Sequence, residues 1–520
     1  MVATIVYPEQ RHCHEASSLL PTAKISDNDI CHGEEVEVNR QRDRHAQSKA
    51  VFAGAAVLLV CLAAIVAVIA SRDGHLKSSG ESPSSLRHDG NNHQNRSGSI
   101  VTHEGITDSE SQCFWPSPNV ETTETVLPGE IPKPMLHDNN TRQLRWGILG
   151  LGRIANDFTT ALKMAGADVR AAAAGSLPNT TARAKAFAKR YSIPKSYGSY
   201  EDMAADPNVD IVYIATINSL HLDPTLMMLK AGKNVLLEKP MAMNVEEAEQ
   251  MAQAAKDNQR LLLTNFWTRF FPVTKYIQTV LASQRLGKAV AMRGDFGLVA
   301  SRDPEDRFLN RTQGGGAVLD LGCYLINLAV MANPSRNLPV EVQASAQRTY
   351  FGIDYKVDTE SSFILKWNSQ DTAEDGAMSE STMIMSGQAS FRHPSSFEVE
   401  IEGNDGRLKI HGPANAPNRT TIYEYRSEGI GTLKHVELVG SKMPKFDERY
   451  GIGEYPRGEG FVYVINELEQ CMFEKGIPGS KNHYDRPGCL ELETLPMAEQ
   501  LDTVRITEEV LRKIGYWDWQ

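Results

Sequence analysis

The stretch Leu144-Arg145-Trp146-Gly147-Ile148-Leu149-Gly150-Leu151-Gly152-Arg153-Ile154-Ala155 decides the fold. Its first half is a short apolar run suited to a buried strand. It leads directly into Gly-x-Gly-x-x-Ala, and a helical stretch from Asp157 to Met164 follows. This is a dinucleotide-binding fingerprint in its strand–turn–helix setting. Gly150 permits the tight turn, and Gly152 lets the backbone approach a pyrophosphate. Ala155 lets the helix pack closely on the strand. Leu151, Arg153 and Ile154 complete the turn, and the helix N terminus offers free N–H donors to phosphate.

Working outward toward the C terminus, the alternation continues. Strands are expected at 168–175, 209–216, 234–237 and 261–265, with helices at 181–191, 223–231 and 244–256 between them. Asn244 followed by Glu247 is an N-cap with an acid at its third helical position. Alternating strands and helices predict a parallel, doubly wound α/β sheet, a Rossmann domain over 143–266.

An enzyme that takes NAD places an Asp or Glu about twenty residues past the fingerprint to hold the ribose hydroxyls. Val169 to Tyr200 contains no acid but carries Arg170, Arg183, Lys185, Lys189, Arg190 and Lys195. Ser176, Thr181 and Arg183 are suited to a 2′-phosphate, so NADP is expected in preference to NAD. The bland alternative is that these bases line the solvent face of a helix.

Toward the N terminus the character changes. Residues 1–50 are polar with no periodic apolar face and read as a disordered tail. Val51 to Ala70 is twenty residues without a charge or a proline, enough at about 1.5 Å per residue to span a bilayer core as one transmembrane helix. A leader cleaved after Val68-Ile69-Ala70 is the alternative. Four Lys or Arg precede the span within twenty residues (Arg40, Arg42, Arg44, Lys49) and three follow it (Arg72, Lys77, Arg87). That balance favours a type II single-pass orientation by one residue. Sequons at Asn95, Asn139, Asn179, Asn310 and Asn418 all lie beyond the span. A glycan on Asn179, however, would obstruct the adenosine end of a cofactor, so either that site is bare or the domain faces the cytosol. Residues 71–142, rich in Ser, Gly, Asn and His, read as a flexible stem.

The formal charge of −11 argues against nucleic acid as a partner. Seven cysteines at 13, 31, 61, 113, 323, 471 and 489 show no metal-ligand spacing. Neither a metal site nor a disulfide framework is expected.

Chemistry concentrates at two places. Lys239, in Glu238-Lys239-Pro240, follows the strand at 234–237 and so lies at the carboxyl end of the sheet, where open α/β sheets bind ligands. Asp320 and Tyr324 share a face if Leu319 to Met331 is helical. A phenol is a poor proton donor or acceptor until a cation stabilises its anion. Lys239 beside Tyr324 would do so and make Tyr324 a general acid/base for a substrate hydroxyl. The competing reading makes Tyr324 a core residue with its hydroxyl satisfied.

The fingerprint, Glu238-Lys239-Pro240, the run Asn265-Phe266-Trp267-Thr268-Arg269-Phe270-Phe271-Pro272 and the run Gly315 to Tyr324 occur in an order that resembles the glucose–fructose oxidoreductase / inositol 2-dehydrogenase family. The resemblance covers about Gln143 to Trp517. It implies Lys239 and Tyr324 as the catalytic pair, with Asp320 as their polar support. It implies cofactor contacts from Thr216, Asn218, His221 and Glu238, and a Lys239-Pro240 bond that is cis. It also implies a second α+β domain over 267–520, with a large, mostly antiparallel open sheet that often forms a homodimer. Strands at 290–296, 341–350, 361–367, 382–391, 403–410 and 420–425 suit that sheet. Three departures stand out. Ser176-Leu177 replaces the relatives' 2′-phosphate arginine, Ile217 replaces a usual proline, and the membrane segment is foreign to soluble relatives.

The expected activity is an NADP-dependent oxidoreductase acting on a carbohydrate or a cyclic vicinal diol. The rivals are a membrane-tethered NADP-binding sensor without turnover, and a lyase or hydrolase that uses the nicotinamide transiently.

Overall fold

In the computed structural model, residues 120–128, 144–175, 180–333, 335–368, 382–426, 432–445, 453, 455–478 and 488–519 are described. The expected tail, the segment 51–70, most of the stem and Ser176 lie outside them. Among the described residues one helical stretch is long and apolar enough to cross a membrane, Arg311–Ala332. It is 89% buried within the protein and serves as a core helix.

The first layer is the expected Rossmann sheet. Its strands are β2 (Arg145–Leu149), β3 (Asp168–Ala173), β4 (Lys195–Tyr197), β5 (Ile211–Ile214), β6 (Asn234–Leu237) and β7 (Leu262–Thr264). They lie in the order β4-β3-β2-β5-β6-β7, all parallel. β5, β6 and β7 are buried at every residue because helices cover both faces. The capping box forms as read: Asn244 Oδ1 accepts from the Glu247 N–H at 2.8 Å, and Glu247 Oε2 accepts from the Met243 N–H at 3.1 Å.

The second sheet has nine strands. They are β1 (Glu121–Leu127), β8 (Ala289–Gly297), β9 (Glu341–Gln347), β12 (Glu360–Asn368), β13 (Thr382–Ser390), β14 (Val399–Gly403), β15 (Gly406–Ile410), β16 (Arg419–Tyr425) and β17 (Leu433–Ser441). The order is β1-β17-β16-β15-β14-β8-β13-β12-β9, with β10 (Thr349–Tyr350) and β11 (Ile353–Asp354) as a separate hairpin. Every pairing in the nine-stranded sheet is antiparallel except β1 with β17 and β13 with β8. Ser361, Phe363, Leu365 and Trp367 of β12 are buried while Ser362 and Ile364 between them face outward. The inner face carries the helices Cys323–Ala332 and Met497–Lys513, joined by Asn327 Nδ2 donating to Thr503 Oγ1 at 3.1 Å.

Several expectations change. The stem reading fails at Glu121–Leu127, which forms β1 at the sheet edge. Alternate threonines fasten it: Thr123 bonds His435 at 2.8 Å, and Thr125 donates to Glu437 at 2.5 Å. Arg285 and Tyr276 converge on the same glutamate. Polar composition misleads here because the strand buries little apolar surface and is held by its ladder and this network. The expected strand 403–410 is instead the end of β14, a turn, and β15. The expectation against disulfides is also corrected. Cys471 and Cys489 are bonded, with Cα atoms 5.6 Å apart. They are 18 positions apart in sequence, a spacing with no motif signature, so only the fold brings them together.

Candidate active site

The Gly-rich turn joins β2 to the helix Arg153–Met164. Gly150 has φ +82°, and a Cβ there would stand 2.7 Å from the Ala215 carbonyl. Only glycine fits. Gly152, in extended backbone at the helix N-cap, faces open space, since a Cβ there would meet nothing within 4 Å. The first turn of the helix holds no acidic side chain, and among the described residues no side chain caps it. A helix N terminus of this kind offers N–H donors to an anion, and the cradle fits a dinucleotide pyrophosphate. Leu151, Arg153 and Ile154 line the turn, with Arg153 exposed and Ala155 buried.

The adenosine end is described only in part. Thr181 and Arg183 lie on the exposed side of the helix Thr180–Tyr191, and Ser176 lies outside the described residues. Tyr200 covers Gly175, where a Cβ would meet its ring at 2.6 Å.

Three residues expected to touch cofactor use their side chains to fix backbone. Thr216 Oγ1 donates to the Leu220 carbonyl at 2.9 Å. Asn218 Nδ2 donates to the Gly314 carbonyl at 2.8 Å, which ties the first domain to the glycine run ahead of Asp320. His221 is buried, with Nδ1 2.8 Å from the Pro240 carbonyl and Nε2 3.3 Å from that of Thr216. Burial lowers its imidazole to about 4, so the ring is neutral. Glu238 behaves likewise. Its carboxylate accepts from Tyr213 at 2.6 Å, Asn265 at 2.8 Å and the Lys239 N–H at 3.2 Å, anchoring the end of β6.

The expected catalytic residues do converge. The Lys239-Pro240 bond is cis. Lys239 Nζ donates to the Asp320 carbonyl at 2.9 Å and to Asp320 Oδ1 at 3.1 Å, and it lies 4.9 Å from the centre of the Tyr324 ring. Asp320 sits in a π-helical turn, Val318–Gly322, and Tyr324 in the helix that continues from it. Burial works against the Lys239 ammonium, but Asp320, Tyr324 and Cys323 outweigh it and hold Lys239 above the ordinary lysine range. Burial also opposes the Asp320 carboxylate, and Lys239 and Arg307 overcome that to hold it below its usual range.

Tyr324 goes the other way. Burial raises its phenol above the ordinary value, and Lys239 and Trp267 pull it down without reversing the shift. Lys239 favours the Tyr324 anion as expected, but desolvation outweighs it.

Sequence reasoning missed three residues. Trp267 Nε1 donates to the Tyr324 hydroxyl oxygen at 3.0 Å, while its indole stacks on Phe461 at 4.3 Å and meets Phe271 edge-on at 5.4 Å. Arg307 is a second cation on Asp320 Oδ1, at 3.2 Å. Asp358 caps the π-helical turn by accepting from the Val318 N–H at 2.8 Å and from Ser361 Oγ at 2.8 Å. Trp267 stood inside a quoted motif. Nothing in the sequence marked the other two. Phe266 and Phe296, with ring centres 6.0 and 6.4 Å from Tyr324, complete an aromatic wall. Such a site suits a small polar molecule with an apolar face.

Residues 144–266 match the NAD-binding Rossmann fold of an oxidoreductase family, and residues 274–409 match the GFO/IDH/MocA C-terminal domain. The chain is 31% identical over 375 residues to trans-1,2-dihydrobenzene-1,2-diol dehydrogenase of Sus scrofa, covering 72% of this chain and 97% of that one. It is 42% identical over 214 residues to the Danio rerio protein of that name, covering 41% of this chain and 62% of that one. The fold is also that of levoglucosan dehydrogenase solved with NADH and levoglucosan. There the TM-score is 0.56 at 19% identity, over 72% of this chain and 98% of that one. Other structures of this fold were solved with NADP.

Proposed function

Because the chain belongs to the GFO/IDH/MocA family of NAD(P)-dependent oxidoreductases, we propose that it is an NADP-dependent dehydrogenase of a carbohydrate or cyclic vicinal diol, related in activity to trans-dihydrodiol and D-xylose dehydrogenases. One observation carries this reading. Lys239, Asp320 and Tyr324 meet at the carboxyl end of β6, in the same sheet as the glycine turn.

The nicotinamide, when bound, accepts or returns the hydride. The chain's residues handle the proton. The Tyr324 oxygen already accepts the Trp267 N–H, which leaves the phenol's own proton to donate. In carbonyl reduction that proton passes to the substrate oxygen as its carbon takes up the hydride. In alcohol oxidation the substrate hydroxyl gives its proton back to the phenolate oxygen. Lys239 stabilises the phenolate from above the ring, and Asp320 fixes the ammonium in place. Gly150, Gly152 and the N terminus of the helix Arg153–Met164 would hold the pyrophosphate. The acid-free window after β3, with Thr181, Arg183 and Ser176, supports NADP over NAD. We further propose a homodimer through the outer face of the nine-stranded sheet, and membrane attachment through residues 51–70.

The test follows absorbance at 340 nm with the full chain in detergent, NADP or NAD, and a panel of D-xylose, D-glucose, myo-inositol and a trans-dihydrodiol. NADPH appearing with one substrate, and lost in both Lys239→Met and Tyr324→Phe, supports the assignment. Wild-type turnover in both variants would sink it. NADP binding without turnover on any substrate would favour a tethered sensor.

A further inference from the structure

The proposed chemistry leaves one covalent feature unused. Cys471, in the helix Phe461–Lys475, is bonded to Cys489, ahead of the helix Met497–Lys513. The two are 7% and 0% exposed. The backbone is docked there independently, with the Cys489 N–H donating to the Gly476 carbonyl at 2.9 Å. Gly488, at φ +78°, has no room for a Cβ against Gly476 and Pro478. A shielded pair held in this way is a structural staple rather than an exchanging redox pair. Such staples persist in oxidising compartments and are rare where glutathione keeps thiols reduced.

A second feature is independent of the cysteines. Five sequons follow residue 70. Two lie among the described residues, Asn310 and Asn418. The Asn310 carboxamide is committed: it accepts from the Thr312 N–H at 3.0 Å and donates to Glu305 at 3.3 Å. Asn418 is partly exposed at the entry to β16, followed by exposed Arg419 and by Thr420.

We propose that the catalytic unit matures on the lumenal, oxidising side of a secretory membrane, with Cys471–Cys489 as a native disulfide and Asn418 as an N-glycosylation site. In forming the disulfide, the two thiols lose two protons and two electrons. A protein disulfide of the compartment takes both up and becomes a dithiol. In the glycosylation, the Asn418 amide nitrogen bonds the anomeric carbon of a lipid-linked oligosaccharide, releasing the lipid diphosphate and a proton. Neither step depends on turnover at Tyr324, so a catalytically dead protein would still carry both marks.

The experiment expresses the full chain in a eukaryotic cell, alkylates it before lysis, and digests it without reduction. A cross-linked peptide pair containing Cys471 and Cys489 is expected, together with an electrophoretic shift on glycosidase treatment that is smaller in Asn418→Gln. In sealed microsomes the catalytic unit should resist added protease. Alkylated, separate Cys471 and Cys489, or digestion of the catalytic unit in intact microsomes, would overturn the proposal. A glycosidase shift unchanged in Asn418→Gln would also overturn it for that site.

Discussion

Trp267→Phe isolates the hydrogen bond that the proposed proton donor accepts. The phenyl ring keeps the stack on Phe461 and the edge contact with Phe271 but loses the N–H that reaches the Tyr324 oxygen at 3.0 Å. A neutral hydrogen bond contributes about 1 kcal/mol net, and one to a charged acceptor about 1.5–3 kcal/mol. The indole therefore favours phenolate over phenol by about 1–1.5 kcal/mol, equivalent to roughly one pKa unit. Burial already holds Tyr324 above the ordinary tyrosine value, so losing the donor raises it further. For alcohol oxidation, where Tyr324 must accept a proton, the rising limb of kcat/KM against pH should move up by about one unit. Below the inflection the rate should fall by about tenfold. KM for substrate should change less than kcat. The assay is the full pH profile of NADPH formation, with Trp267→His retaining a ring N–H and recovering part of the loss. An unmoved inflection, or full activity in Trp267→Phe, would refute the reasoning.

Four further outcomes follow from the geometry. Gly150→Ala forces a side chain onto φ +82° and against the Ala215 carbonyl. It should cost at least about 1 kcal/mol and abolish the rise in melting temperature expected of the parent chain with the proposed NADP. Asp320→Asn leaves the buried Lys239 ammonium with one carboxylate fewer, so Lys239 should fall toward neutrality and activity acquire a new alkaline loss, read in the pH–rate profile. Cys471→Ser removes a link across 18 residues and should cost about 3 kcal/mol by loop entropy, measured by denaturant unfolding without reductant. Burial raises the Asp358 carboxyl to about 7 from an ordinary 3.8. Its contribution is therefore complete below about pH 4 and lost as pH rises through 7, a swing of up to about 4 kcal/mol. Asp358→Asn should flatten stability across that window, and an unchanged pH dependence would count against the shift.

The Rossmann half was legible because its signals are local. The turn from Leu144 to Ala155, the capping box at Asn244 and the short apolar runs each specify their own geometry. The large sheet was legible as a class but not in its boundaries. The turn between Gly403 and Gly406 hides inside a continuous strand-like pattern, and β17 carries Glu437 and His435, which read as surface until Arg285 and Thr123 are placed beside them. β1 escaped for the same reason: its stability comes from partners more than 300 residues away in sequence. At the site, Lys239, Asp320 and Tyr324 could be paired from motif order. The roles of Arg307 and Asp358 arise only from how the chain closes on itself.

That closure also gives Thr216, Asn218 and His221 a structural task. Each stands in a loop next to where cofactor is expected; Thr216 bonds the Leu220 carbonyl within that loop, whereas Asn218 and His221 reach the carbonyls of Gly314 and Pro240 in neighbouring loops. Asn218 reaches the Gly314 carbonyl, and Gly314, at φ +77°, leaves no room for a Cβ against Asn218. Two residues further on, Gly316 packs against Asp358, the residue that caps the turn bearing Asp320. His221 meanwhile holds the Pro240 carbonyl, one residue from Lys239. The lysine and its carboxylate partner are thus positioned from the same loop, one through Pro240 and the other through the glycine run. Removing Asn218 should therefore disturb Lys239 and Asp320 together, lowering kcat and cofactor affinity in parallel. A residue that only contacted cofactor would change affinity and leave the proton step intact.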